Sequence, residues 1–140
     1  MAKAVYDTNI VVSAVLHRDG LPALLLSLAL GGGVRLFVSE EVLLEYEAVL
    51  KRPRFGLKGK GVEHLIGLIA EKATLVRPTR RLQVIKGDDA DNRILECALK
   101  AKADFIVTGN KRHFPFEEFR GIRIVTPREF INRVIQDVAL

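Results

Sequence analysis

The sequence predicts a three-layer α/β/α sandwich with a mainly parallel central sheet. Its 140 residues fit one globular domain. β-prone runs and helical patterns alternate from end to end, which is the rhythm of βαβ units, and no linker or low-complexity tract interrupts them. Residues 1–140 therefore read as a single domain. A chain of this size buries roughly 68–70% of its unfolded surface, enough for a core without disulfides or a structural metal.

Lys3 to Tyr6 is the first β-prone run, followed by Asp7, Thr8 and Asn9, any of which can open the next helix. Pro22 to Leu30 reads as a strongly apolar helix that packs either in the core or against a second protein surface. Gly31, Gly32 and Gly33 end it; they precede a strand, so they are no phosphate loop. Arg35 to Val38 is the second strand. Ser39 then caps a helix whose first turn carries Glu40 and Glu41 and which stops at Lys51, Arg52 and Pro53. Thr74 to Lys86 fits either an edge strand or a loop. Asp104 to Val107 and Ile122 to Val125 are further strands, and Thr126, Pro127 and Glu129 open the last helix as cap, first helical residue and capping-box acid.

Composition narrows the function. Cys97 is alone, so neither an internal disulfide nor a zinc cluster is available, and a reducing cytoplasm is the expected compartment. Met1 to Asp7 reaches an acid before a signal-like run develops, and Gly20 to Val34, broken by Pro22 and glycines, is too short for a membrane span. A net charge of +5 and a pI of 9.6 suit a polyanionic partner.

In an open parallel sheet, ligands bind at the carboxyl ends of the strands. Asp7 directly follows the first strand, as a helix cap or a ligand. Asp91 projects into the apolar arc of Ile94, Leu95, Ala98, Leu99 and Ala101, and a carboxylate aimed inward needs compensation. Asp88 as N-cap and Asp91 as its reciprocal acid would supply a local explanation. Asp88, Asp89 and Asp91 together exceed what one cap requires, so the segment points to a hard cation held by oxygen. On the Ser39 to Leu50 helix, Glu45 and Glu47 each flank the buried stripe by about 40°, and periodicity does not choose between them. Asp104 lies at the wrong end of the sheet. Val107 is followed by Thr108, Gly109, Asn110, Lys111, Arg112 and His113; the histidine reads as a base, a surface residue or a phosphate contact.

These residues together resemble the PIN-domain ribonucleases. The motifs are Asp7-Thr8-Asn9 after the first strand, the helix with an internal Glu, the Asp88 to Asn92 cluster opening a helix, and Thr108-Gly109-Asn110 after a later strand. The likeness covers essentially the whole chain and is nearest to the toxin-like branch that includes the VapC-type toxins. It implies that Asp7, Glu45 and Asp91 are the main catalytic acids of a divalent-metal site, with Asp88 in a secondary ligand role. Thr8, Asn9, Thr108 and Asn110 would support them, Asn110 standing where many relatives carry a fourth acid. Oxygen donors favour Mg²⁺ or Mn²⁺, which acidify a water and spread the charge of phosphodiester hydrolysis. RNA is the implied substrate, met by Lys51, Arg52, Arg54, Lys111, Arg112 and His113; Lys58 and Lys60, and the run Arg77, Arg80, Arg81 and Lys86, add positive charge. A cognate antitoxin and a homodimer are the implied protein partners. The alternative is a PIN-like RNA-binding or protein-interaction module with weak or no nuclease activity. Haloacid-dehalogenase phosphatases need a second Asp where Asn9 stands, and receiver domains need an acid pair that is not found after the first strand.

Overall fold

The computed structural model describes residues 1–85 and 87–139. Lys86, one of the candidate cations, lies outside the described residues. The elements in order are β1 (Lys3–Tyr6), α1 (Thr8–Leu16), α2 (Leu21–Leu30), β2 (Arg35–Val38), α3 (Glu40–Leu50), α4 (Gly59–Lys72), β3 (Thr74–Leu75), α5 (Asp89–Ala101), β4 (Phe105–Val107), β5 (Glu118–Phe119), β6 (Ile122–Val125) and α6 (Pro127–Ala139). The strands form one sheet in the order β3-β2-β1-β4-β6-β5, parallel except for the β5–β6 pair. The three-layer arrangement with a mostly parallel sheet is therefore the one the sequence predicts.

Beyond Lys3 at the start of β1, the two central strands β1 and β4 are apolar because helices cover both faces of the sheet. Ala4, Val5, Tyr6, Ile106 and Val107 are fully buried. From β1 the chain steps outward to β2 and β3, then returns to lay β4 on the other side of β1 and continue to β6. The crevice between β1 and β4 is thus the topological switch point where such sheets bind ligands. The Asp7 N–H donates to the Val107 carbonyl at 2.9 Å, so the ends of both strands are held in register there.

Two tyrosines fasten helices to this edge. The Tyr46 hydroxyl of α3 donates to the Tyr6 carbonyl, and the Tyr6 hydroxyl donates to the Leu25 carbonyl of α2 at 2.9 Å. Burial pushes the Tyr46 phenol well above its ordinary range, so it stays a donor. α2 itself buries Leu25, Leu26 and Ala29 and packs on α1, α4 and α6, leaving Leu24 exposed; most of its apolar surface completes the core. No single helix among the described residues is long and apolar enough to cross a membrane, and the α1–α2 pair is bent by 105°. The Cys97 thiol is buried in α5 and pushed up to about 12 by that burial.

The ambiguous Thr74 to Lys86 segment divides. Thr74 and Leu75 make the edge strand β3, and the chain then runs irregularly as far as Ile85 across α5. Three α5 side chains grip it: Glu96 Oε2 accepts the Leu82 N–H at 2.6 Å, Arg93 Nη2 donates to the Leu82 carbonyl at 3.0 Å, and Asn92 bonds both backbone groups of Ile85 at 2.9 and 2.7 Å. Glu96 also pairs with Arg93 at 3.1 Å and its side chain is only 1% exposed. Removing this carboxylate would leave a mostly buried guanidinium without an anion. Glu96→Ala is therefore expected to lower the unfolding free energy by about 3 kcal/mol in urea titration. Arg81, whose exposed side chain pairs with Glu41 and approaches Glu96, is expected to matter far less when truncated, because solvent screens its pairs.

Candidate metal centre

Asp7 occupies the N-cap of α1 and the end of β1 at once, because β1 runs into the helix without a loop. Its Oδ1 accepts the Thr8 N–H at 2.8 Å. Its Oδ2 faces the crevice and receives the Thr108 hydroxyl at 2.8 Å and the Asn9 amide at 3.2 Å, with His113 Nδ1 at 3.1 Å. Capping and membership of the site are thus shared between the two oxygens of one carboxylate. Asn9 also bridges the switch point: its Oδ1 accepts the Gly109 N–H at 2.9 Å. A Cβ on residue 109 would lie 3.3 Å from that oxygen, so glycine permits the close approach of the two strand ends.

Asp91 comes from the first turn of α5. Asp88 is the N-cap, its Oδ1 accepting the Asp91 N–H at 3.1 Å, while the Asp91 carboxylate turns toward Asp7 and His113. Burial pushes its carboxyl from 3.8 up to about 7, reinforced by the charges of Asp7 and Asp88 and opposed by His113. The Asp91 side chain is 7% exposed, and among the described residues the basic group that approaches it is His113, with Nδ1 at 4.0 Å. Such a carboxyl is largely protonated below pH 7, and a cation in the crevice would draw it into its charged form. One ligand atom each from Asp7, Asp91 and His113 lies within 4.8 Å of the others.

Glu45 is half-buried on α3 and lies outside that group. Its rival Glu47 is held by Lys51 at 3.1 Å. Asn110 Oδ1 accepts the Arg112 N–H at 3.0 Å, capping the short 3-10 turn Lys111–His113. The residue in the place of a fourth acid therefore spends its amide oxygen on a turn. That turn is what carries His113 back to the carboxyl end of β1, which reading by residue type did not anticipate. The available signal was Asn110 itself, a strong cap three residues before the histidine. Among the other candidates, Thr108 is fully buried against Asp7, Lys51 is engaged by Glu47 and Glu63, and Lys111 by Glu129. Arg52, Arg54 and Arg112 are exposed and pair with no acid among the described residues.

Residues 3–112 match the PIN domain family. The chain belongs to that family. PIN domains are typically metal-dependent nucleases, and the clustered acids and histidine of this one suit a divalent cation. This PIN domain is 25% identical over 142 residues to an uncharacterized protein of Methanocaldococcus jannaschii, covering 93% of this chain and 90% of the relative. That relative does not distinguish the toxin-like branch from others.

The metal-free PIN domain is expected to lose stability as pH rises. Asp91 titrates near 7 in the folded chain against 3.8 otherwise, so folding holds an extra proton between about pH 4 and 7, and the cost of its charge is fully present above that window. His113 is shifted above 6.5: burial lowers it, but the hydrogen bond to Asp7 and the charges of Asp7, Asp91 and Asp88 outweigh burial. Its contribution is present below 6.5 and lost as pH rises through the folded value, in the same direction. Thermal melts in EDTA should therefore fall from pH 5 to pH 8, and Asp91→Asn should flatten most of that slope.

Proposed function

We propose that this PIN domain is a metal-dependent endoribonuclease that hydrolyses RNA phosphodiester bonds, with Asp7, Glu45 and Asp91 as its principal acids and Asp88 behind them. The observation that carries this reading is the burial of the Asp91 carboxylate beside Asp7 at the switch point, without an ion pair strong enough to hold its charge. Mg²⁺ or Mn²⁺ bound there would acidify a water and offset charge developing on the phosphate. The chain's own residues prepare the place. Thr108 and Asn9 fix the orientation of Asp7, Asp88 caps α5 so that Asp91 points inward, and the clasp of Asn92 and Glu96 on residues 82–85 holds that turn. Arg52, Arg54 and Arg112 are the exposed cations best able to meet the RNA backbone, which contributes affinity without sequence preference.

The finer reading is a toxin component acting in the cytoplasm, paired with a cognate antitoxin and dimeric. What supports it is the resemblance of its motifs in register. The neighbouring open reading frame and co-purification with its product test that part. The position of Glu45 outside the three-residue group and the engagement of Asn110 favour the second reading, a binding module with little activity. Incubation with a pool of single-stranded RNA of randomised sequence, across a Mg²⁺ and Mn²⁺ titration with an EDTA control, separates the two. Metal-dependent cleavage supports the nuclease; retention of RNA without cleavage at saturating metal overturns it.

A further inference from the structure

We propose that His113 is a nitrogen ligand of the metal centre, making its donor set a mixture of carboxylate and imidazole and giving it a preference for Mn²⁺ over Mg²⁺. This rests on the metal-dependent reading and goes beyond it, because His113 lies one residue past the stretch that matches the family. The nitrogen nearest the acids is Nδ1, at 3.1 Å from Asp7 Oδ2 and 4.0 Å from Asp91 Oδ1. Around a cation with bonds of about 2.1 Å, adjacent donors of an octahedron stand about 3.0 Å apart and opposite ones about 4.2 Å. Both His113 spacings fall in that span, and the three-residue group, which lies within 4.8 Å, needs only a small contraction to close on an ion. A hydrogen-bonding role alone would require only the shorter contact to Asp7.

The turn that carries the ring is also fixed. The His113 backbone N–H donates to the Asn110 carbonyl at 3.1 Å, the Phe114 backbone N–H to the Lys111 carbonyl at 3.1 Å, and Phe114 is buried, so the backbone is anchored on both sides of the histidine. Charge favours the same arrangement: two carboxylates with a neutral imidazole balance a divalent ion, and the Asn110 amide adds no further anion. Mg²⁺ demands oxygen donors, whereas imidazole nitrogen suits transition ions.

The test uses the full chain loaded with Mn²⁺ and pulsed electron paramagnetic resonance, which detects nitrogen coupled to the ion. Coupling is expected in the wild type and absent in His113→Gln, whose melting curve should remain cooperative because the side chain is at the surface of the cleft. Calorimetric Mn²⁺ affinity should fall about 10- to 100-fold in that variant, with a smaller change for Mg²⁺. Bound Mn²⁺ without nitrogen coupling in the wild type overturns the ligand assignment and leaves the nuclease reading standing. Failure of Mn²⁺ to bind at all overturns both.

Discussion

Asp91→Asn is expected to abolish metal-dependent cleavage while making the metal-free protein more stable. The two effects have one cause. The carboxylate is 7% exposed, faces Asp7 and Asp88, and titrates near 7, so at pH 8 the folded chain bears the cost of an uncompensated buried charge. The amide keeps the shape and removes the charge, so unfolding free energy at pH 8 in EDTA should rise by about 2 kcal/mol. An amide neutralises no cation, so turnover should fall on the order of 100- to 1,000-fold, with RNA affinity changing little because exposed cations carry it. If Asp91 served only to cap α5, the pattern would differ: near-normal activity in Asp91→Asn, and a loss of roughly 1 kcal/mol in Asp91→Ala. Full Mg²⁺- or Mn²⁺-dependent activity in Asp91→Asn would remove Asp91 from the chemistry. Such a trade of stability for function is the usual cost of a built site.

Asp7→Ala should lose activity as completely, but with stability changing in the opposite direction. Unlike Asp91, Asp7 is heavily satisfied: the Thr8 N–H, the Thr108 hydroxyl and the Asn9 amide all donate to it, and His113 stands at 3.1 Å. Truncation removes the cap of α1 and the nearer acceptor of the buried Thr108 hydroxyl, leaving it the Asn110 carbonyl at 3.2 Å. A loss of about 3 kcal/mol in urea titration is expected. Asp7→Asn should recover the part of that stability due to the cap, since an amide oxygen still accepts the Thr8 N–H while its NH2 meets the Asn9 donor, and none of the turnover. Two acids of one centre thus have opposite stability signatures, which distinguishes a carboxylate held by donors from one held ready for a cation. A destabilised Asp91→Asn or a neutral Asp7→Ala would contradict this division.

Much of the architecture was legible before any coordinates. Lys3–Tyr6, Arg35–Val38 and Ile122–Val125 are strands as read, and Ser39 and Thr126 cap their helices, the latter with Glu129 accepting the Thr126 N–H at 2.9 Å. These are local matters: β-branched runs, cap residues and apolar periodicity act over a few residues, so the chain itself states them. The inward aim of Asp91 was legible for the same reason, since a helix projects its side chains by a fixed angle.

What the sequence by itself determined is therefore the elements, their alternation and the acids placed after strands. Only the tertiary structure decided which of those acids meet. The pairing of β1 with β4 brings residues about a hundred positions apart into contact, Asp7 with Thr108 and Asn9 with Gly109, and no local pattern encodes that register. The same pairing, with the 3-10 turn capped by Asn110, turns His113 from a residue in a basic loop into a neighbour of two buried carboxylates. Glu45 and Glu47 stayed equivalent in projection; Glu47 pairs with Lys51, and neither joins the group of Asp7, Asp91 and His113. The raised value of Asp91 likewise belongs to the fold: burial and the fields of Asp7 and Asp88 act through space, and space is what the one-dimensional chain leaves out.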